Sequence, residues 1–124
     1  MEKKEYFRVI IAGGRHFNDY KTLAAYCDKV LSNKAKTHNI EIVSGHCYGT
    51  DLLGERYAAE RRYSLSIYEA QWSQYGAAAG PKRNKQMAEN ADALIAFWNG
   101  ESRGTKNMIE TAEKMGLMIR VKKY

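Results

Sequence analysis

The chain has 124 residues, of which 44% are hydrophobic and 27% charged, with a single proline. That length fits one domain with a sizeable core and is too short for two, while the composition excludes a disordered or low-complexity chain. A formal net charge of +6 admits a nucleic acid or a smaller phosphorylated ligand, yet cations such as Lys21, Lys29, Lys34, Arg61, Lys122 and Lys123 are spread along the chain and fit a solvated basic surface equally well.

The opening MEKKEYFRVIIAGG carries an apolar run shorter than a secretory signal or a membrane span, so the expected location is the cytoplasm, with no membrane partner. Phe7 to Ala12 reads as a buried strand that ends at the turn Gly13-Gly14. Asp19 can cap the next helix, in which Leu23, Tyr26, Cys27, Val30 and Leu31 recur at helical spacing. Ile40 to Ser44 is a second strand closed by Gly45, a helix follows from Thr50 to Arg61, and Leu65 to Tyr68 is a third strand. A long connection, EAQWSQYGAAAG, precedes a helix with Pro81 in its first turn and Arg83, Met87 and Ala88 along it. Ala93 to Trp98 is a fourth strand. Gly104-Thr105 opens a helix over Lys106 to Met115, Gly116 caps it, and Leu117 to Val121 is a fifth strand. Apolar strands alternating with helices predict a Rossmann-like, doubly wound parallel sheet in one α/β domain, in the order 3-2-1-4-5 and covered on both faces.

In such a sheet ligands sit beyond the carboxyl ends of the strands, and the unusual loops all fall there. In GGRHF, Gly13 and Gly14 let backbone approach a ligand and Arg15 can take a phosphate; the alternative is a plain strand-ending turn. His16 has no paired acid nearby in sequence. In SGHCYGTD, Ser44, Gly45 and Gly49 surround a helix start whose amides can meet an anion. Asp51 is either a first-turn carboxylate complementing the helix dipole or an acceptor for ribose hydroxyls. Cys47 shows no activating partner in sequence, and with Cys27 it forms no metal-ligand spacing; both read as reduced thiols.

Trp72 and Tyr75 can cover a sheet edge or stack on a purine. Arg83 and Asn84, in a first helical turn, can reach a phosphate, or Arg83 can pair with Asp19 or Asp51. WNGESRGT brings Asn99, Gly100, Gly104 and Thr105 to a helix N-terminus, an anion cradle by type that lacks the ending of a Walker A loop. No cofactor is called for, and His16, His38 and His46 make no metal constellation.

Taken together, GGRHFND, SGHCYGTD, QWSQYGAAAGPKRNKQM, ADALIAFWNG and the pair Gly104-Thr105 resemble the SLOG superfamily, the Rossmann-like group that includes the LOG phosphoribohydrolases and the SLOG domains of DprA and YpsA. They look most like its YspA-type, cpYpsA-related branch. The resemblance implies a pocket for a nucleotide-derived ligand, NAD- or ADP-ribose-like or a nucleoside monophosphate, and a homo-oligomer, commonly a dimer. LOG enzymes carry a pattern like RKxxM, then PGGxGTxxE, and use the arginine and glutamate to cleave an N-glycosidic bond. Arg83, Met87, Gly104 and Thr105 match it, but Met108 stands where the glutamate belongs. A thioether offers neither charge nor proton to an oxocarbenium-like state, and Glu110 lies about 200° further round the helix. Binding as a sensor, carrier or sequestering module is therefore favoured. Hydrolysis would use Arg83 as its catalytic residue with Asp51, Glu69 or Glu101 replacing the lost carboxylate, and single-strand nucleic-acid binding ranks third.

Overall fold

The computed structural model describes residues 5–124. Its strands are β1 (Tyr6–Gly13), β2 (Asn39–Ser44), β3 (Ser64–Ile67), β4 (Ala93–Trp98) and β5 (Met118–Lys123). They form one parallel sheet in the order β3-β2-β1-β4-β5. The helices are α1 (Tyr20–Leu31), α2 (Lys34–Thr37), α3 (Thr50–Arg61), α4 (Trp72–Tyr75), α5 (Ala79–Glu89) and α6 (Arg103–Lys114), and a single 3-10 turn, Gly76–Ala78, joins α4 to α5. Lys3 and Lys4, two further cations of the opening MEKKEY, lie outside the described residues.

Strand side chains alternate between the two faces, so each strand feeds two cores. Phe7, Val9, Ile11, Ile42, Ile95 and Phe97 meet α1 and α3 through Leu23, Cys27, Leu31 and Tyr57. Ile10, Ala12, Val43, Leu94 and Ala96 meet α5 and α6 through Met87, Met108 and Ala112. Each of the larger aliphatic and aromatic side chains removed from water contributes on the order of 2 kcal/mol. This two-sided burial explains why β4 and the later parts of β1 and β2 read as apolar runs, while Arg8 and Glu41, paired at 2.9 Å, stand nearer the strand starts.

The expectation of a sheet covered on both faces fails at its margins. β3 and β5 are mostly exposed along their length, although α3 reaches β3 and α6 reaches β5. Boundaries shift for local reasons as well. α6 starts at Arg103 because the Ser102 side chain accepts from Thr105 N, which makes Ser102 the cap. The connection before Pro81 contains α4 and the 3-10 turn, which polar, alanine-rich sequence did not betray. Asp19 caps α1 as expected, accepting from Thr22 N at 3.1 Å.

A part-buried polar cluster ties α1 to α3. The Tyr57 hydroxyl donates to Asp28 Oδ1 at 2.7 Å, and Arg61 donates to both oxygens of the same carboxylate at 2.9 and 2.7 Å. Those bonds, Arg61's first, hold the Asp28 carboxyl below its usual range, while burial pushes the Tyr57 phenol far up. Tyr57→Phe should cost roughly 1–2 kcal/mol in urea denaturation, since a hydrogen bond to a charged acceptor is lost with almost no change in volume. An unchanged midpoint would show that water replaces the phenol without cost.

Candidate functional site

β1 and β4 flank the point where strand order reverses, and the loops leaving β1, β2 and β4 converge there. Their spacing is set by backbone approach. Gly14 N donates to Phe97 O at 3.2 Å, and Gly14 O accepts from Thr50 N at 3.2 Å and from the Thr50 hydroxyl at 3.0 Å. A Cβ on Gly13 would stand 2.3 Å from Phe97 O. Gly49 has φ +82, and a Cβ there would stand 2.4 Å from Arg15 O. Both glycines let three loops touch; any ligand contact they make is additional.

The floor of the cleft holds Asp51 and Arg83. Both approach Gly45 from the same side: a Cβ on that glycine would lie 2.8 Å from Arg83 Nη1 and 2.8 Å from Asp51 Oδ2. Arg83 Nη1 donates to Gly45 O at 2.8 Å and lies 3.5 Å from Cys47 Sγ, and Arg83 Nε donates to Asn84 Oδ1 at 3.0 Å. Asn84 Nδ2 donates in turn to Asn107 Oδ1 at 2.9 Å, which fixes α5 against α6. Asp51, 5% exposed in the first turn of α3, accepts from Cys47 N at 3.3 Å. Burial pushes its carboxyl up to about 6, against the pull of the Cys47 N–H and of the Arg83 charge. The two candidate partners for Arg83 thus resolve into a backbone carbonyl; Asp19 is engaged at the start of α1.

This cleft, about 120 Å³, has Arg15, Asp51, Trp72, Arg83, Thr105 and Met108 among its walls. It runs through Arg15, Cys47 and Trp72 into an open hollow of about 420 Å³ that Tyr48, Leu52 and His46 also line. On the other side of Arg15 a hollow of about 510 Å³ lies against Asn99, Glu101, Ser102 and Gly104. Volumes of a few hundred Å³ suit a small organic molecule. Tyr75 lines a separate hollow with Glu69, Lys82 and Arg83, and Trp72, 50% exposed, is the aromatic beside the cleft.

The helix-start amides are partly committed. Cys47 N donates to Asp51 and Thr50 N to Gly14 O, while Asn99 Oδ1 takes Glu101 N at 2.8 Å and Ser102 N at 2.9 Å. Gly100, φ +87, makes the turn that this requires. Ser44 is fully buried and its hydroxyl donates to Glu55 Oε2 at 2.8 Å, so it supports the loop from beneath. Charge for an anion therefore comes from Arg15 and Arg83 more than from free amides.

A second arrangement escaped the sequence. His46 Nδ1 lies 2.7 Å from Glu55 Oε2, its N–H donates to Ser44 Oγ at 3.0 Å, and its φ is +60. Glu55, first by its hydrogen bond and then by its charge, raises the imidazole above its usual range. Glu55 follows Asp51 by one turn of α3, so both carboxylates point back at the loop; that i, i+4 spacing was the available signal. Cys47 also gains a neighbour that no sequence spacing showed, the Arg83 guanidinium. Among the other carboxylates, Glu69 stands 4.0 Å from His46 Nε2 and Glu101 lies in the hollow beyond Arg15. Met108, 1% exposed, fills the wall beside Thr105 and Asp51.

Comparison with known proteins agrees with this fold. Gene 61 protein of Mycobacterium phage D29 is 29% identical over 119 residues, covering 90% of this chain and 93% of that protein. DNA processing protein A (DprA) of Streptococcus pneumoniae superposes over 94% of this chain with a TM-score of 0.69 at 16% identity, and the match spans 50% of its length. The structure of TM1055 matches over 94% of this chain and 72% of its own, with a TM-score of 0.63 and 16% identity. At such identity the two structures speak for the fold. The family model for YspA, cpYpsA-related SLOG proteins matches residues 7–75, the stretch that holds GGRHFND, SGHCYGTD and QWSQY. The chain belongs to the YspA, cpYpsA-related SLOG family.

Proposed function

We propose that the protein binds a nucleotide-derived ligand, an ADP-ribose-like molecule or a nucleoside monophosphate, as a sensor, carrier or sequestering module. The observation that carries this reading is the meeting of Asp51 and Arg83 at Gly45 on the cleft floor, beside a half-exposed Trp72. A carboxylate that accepts from a ribose diol, a guanidinium for phosphate and an indole face for a base are what such a ligand asks for. In this reading Arg15 supplies the second charge, Thr105 and Gly104 the far wall, and the protein acts in the cytoplasm as a homo-oligomer.

Proton NMR of AMP, cytidine monophosphate, ADP-ribose and NAD with the protein tests it, following line broadening and free base together. Broadening without base release is the expected result; no broadening by any of the four would overturn it. Base release would instead support N-glycosidic hydrolysis, for which the Asp51 carboxyl near 6 is the favouring feature and the buried Met108 the opposing one. Trp72→Ala should weaken a base-containing ligand roughly 5- to 30-fold and leave ribose 5-phosphate binding unchanged, as read by titration calorimetry. Equal losses for both ligands would remove the base from Trp72.

A further inference from the structure

Three hollows meet at the carboxyl end of the sheet, and Arg15 is common to all of them. It lines the cleft above Asp51 and Arg83, the open hollow beside Trp72, and the hollow of about 510 Å³ that lies beyond it. A nucleotide held by Asp51, Arg83 and Trp72 fills the first two. The third is the largest of the three and is left without an occupant.

The chemistry of the near side is repeated on the far side of Arg15. Near it stand an aromatic, Trp72, a carboxylate, Asp51, and a second guanidinium, Arg83. Across it, Glu101 supplies another carboxylate and Tyr124 another aromatic ring. Neither Arg15 nor Glu101 makes a side-chain hydrogen bond or ion pair among the described residues, although both line this one hollow. Elsewhere opposite charges that approach are joined, as Arg8 is to Glu41 and Arg61 to Asp28. Tyr124, by contrast with those two free charges, is fixed. Its ring packs on Phe17 with centroids 4.8 Å apart, Phe17 stacks on Phe97 at 5.1 Å, and its N–H donates to Trp98 O at 3.3 Å. Its hydroxyl lies so close over Gly14 that a Cβ there would collide with it. The far hollow therefore has a firm aromatic wall.

We propose, resting on the ligand-binding reading above, that the ligand is a diphosphate with a ribosyl group at each end, of the ADP-ribose or dinucleotide type, and not a nucleoside monophosphate. Arg83 and Arg15 take the two phosphates in succession, Asp51 holds the near ribose, and Glu101 holds the far one beside Tyr124. A carboxylate accepts from both hydroxyls of a ribose diol, so Glu101 does for the second sugar what Asp51 does for the first. A monophosphate would engage one guanidinium and leave Arg15 and Glu101 idle.

Titration calorimetry with AMP, ADP and ADP-ribose tests this, because ADP carries the diphosphate without the second sugar. Wild type is expected to bind ADP-ribose roughly tenfold tighter than ADP, and Glu101→Ala should weaken ADP-ribose roughly 5- to 10-fold. The same variant should bind ADP no more weakly than wild type, since it loses only a negative charge near a diphosphate, and that titration also shows that it has folded. Binding of AMP or ADP with no gain for ADP-ribose overturns the inference and leaves the ligand-binding reading standing. A gain for ADP-ribose that survives Glu101→Ala overturns the assignment of the second sugar to this hollow. No binding of any of the three overturns both.

Discussion

Arg83→Ala is expected to weaken binding of any phosphate-bearing ligand at least 100-fold, the largest single effect at this site. Nη1 is held by Gly45 O at 2.8 Å and Nε by Asn84 Oδ1 at 3.0 Å, so the fork is fixed before a ligand arrives and Nη2 is left for a phosphate oxygen. A charge-assisted bond contributes about 1.5–3 kcal/mol, and its loss leaves a phosphate unpaired inside the cleft. Those terms together reach about 2.7 kcal/mol, the equivalent of 100-fold. Arg83→Lys keeps the charge but not the fork and should recover only part of the affinity. Calorimetry with ADP-ribose and with its phosphate-free nucleoside separates the cases. Equal affinities for the phosphorylated ligand in wild type and Arg83→Ala would remove Arg83 from the site, and an unchanged melting temperature would show that the fold had not been lost with it.

The sequence made the central sheet legible because β1, β2 and β4 are buried on both faces, so VII in β1 and ALIAF in β4 admit no other reading. Edge strands obey weaker rules. Leu65 and Ile67 look like core residues in sequence and lie half exposed, since whether a helix covers an edge is decided by distant packing. At the site, the glycines and arginines announced a ligand end of the sheet, but not which bonds the loops would use on themselves. Thr50 spends its amide on Gly14, a contact that needs the tertiary approach of two loops, and Cys47 spends its amide on Asp51 four residues on, within its own loop. His46 and Glu55 are nine residues apart across a left-handed turn, which no helical or strand period reveals.

Asp51→Asn is expected to stabilise the protein at pH 8 while weakening ligand binding. The largest influence on this carboxyl is burial, which raises it from 3.8 to about 6 in spite of the Arg83 charge. Below pH 3.8 the group holds its proton both folded and unfolded and costs nothing. As pH rises toward 6 the unfolded chain releases that proton while the folded one retains it, so stability falls; above 6 the cost is complete and constant, on the order of 2–3 kcal/mol. Asparagine keeps the volume and an oxygen to accept from Cys47 N, but carries no charge to desolvate. The variant should therefore outlast wild type in urea at pH 8, with the difference vanishing near pH 4. His46 remains in both proteins, and only its minor charge coupling to Asp51 is lost with the carboxylate. A ribose diol donates to the ionised carboxylate and favours that form, so wild-type affinity should fall toward tenfold per pH unit below about 6 and level off above it. Asp51→Asn should flatten that profile. A gain in stability at pH 8 joined to an unaltered pH profile of binding would confine Asp51 to the fold and take the ribose elsewhere in the cleft.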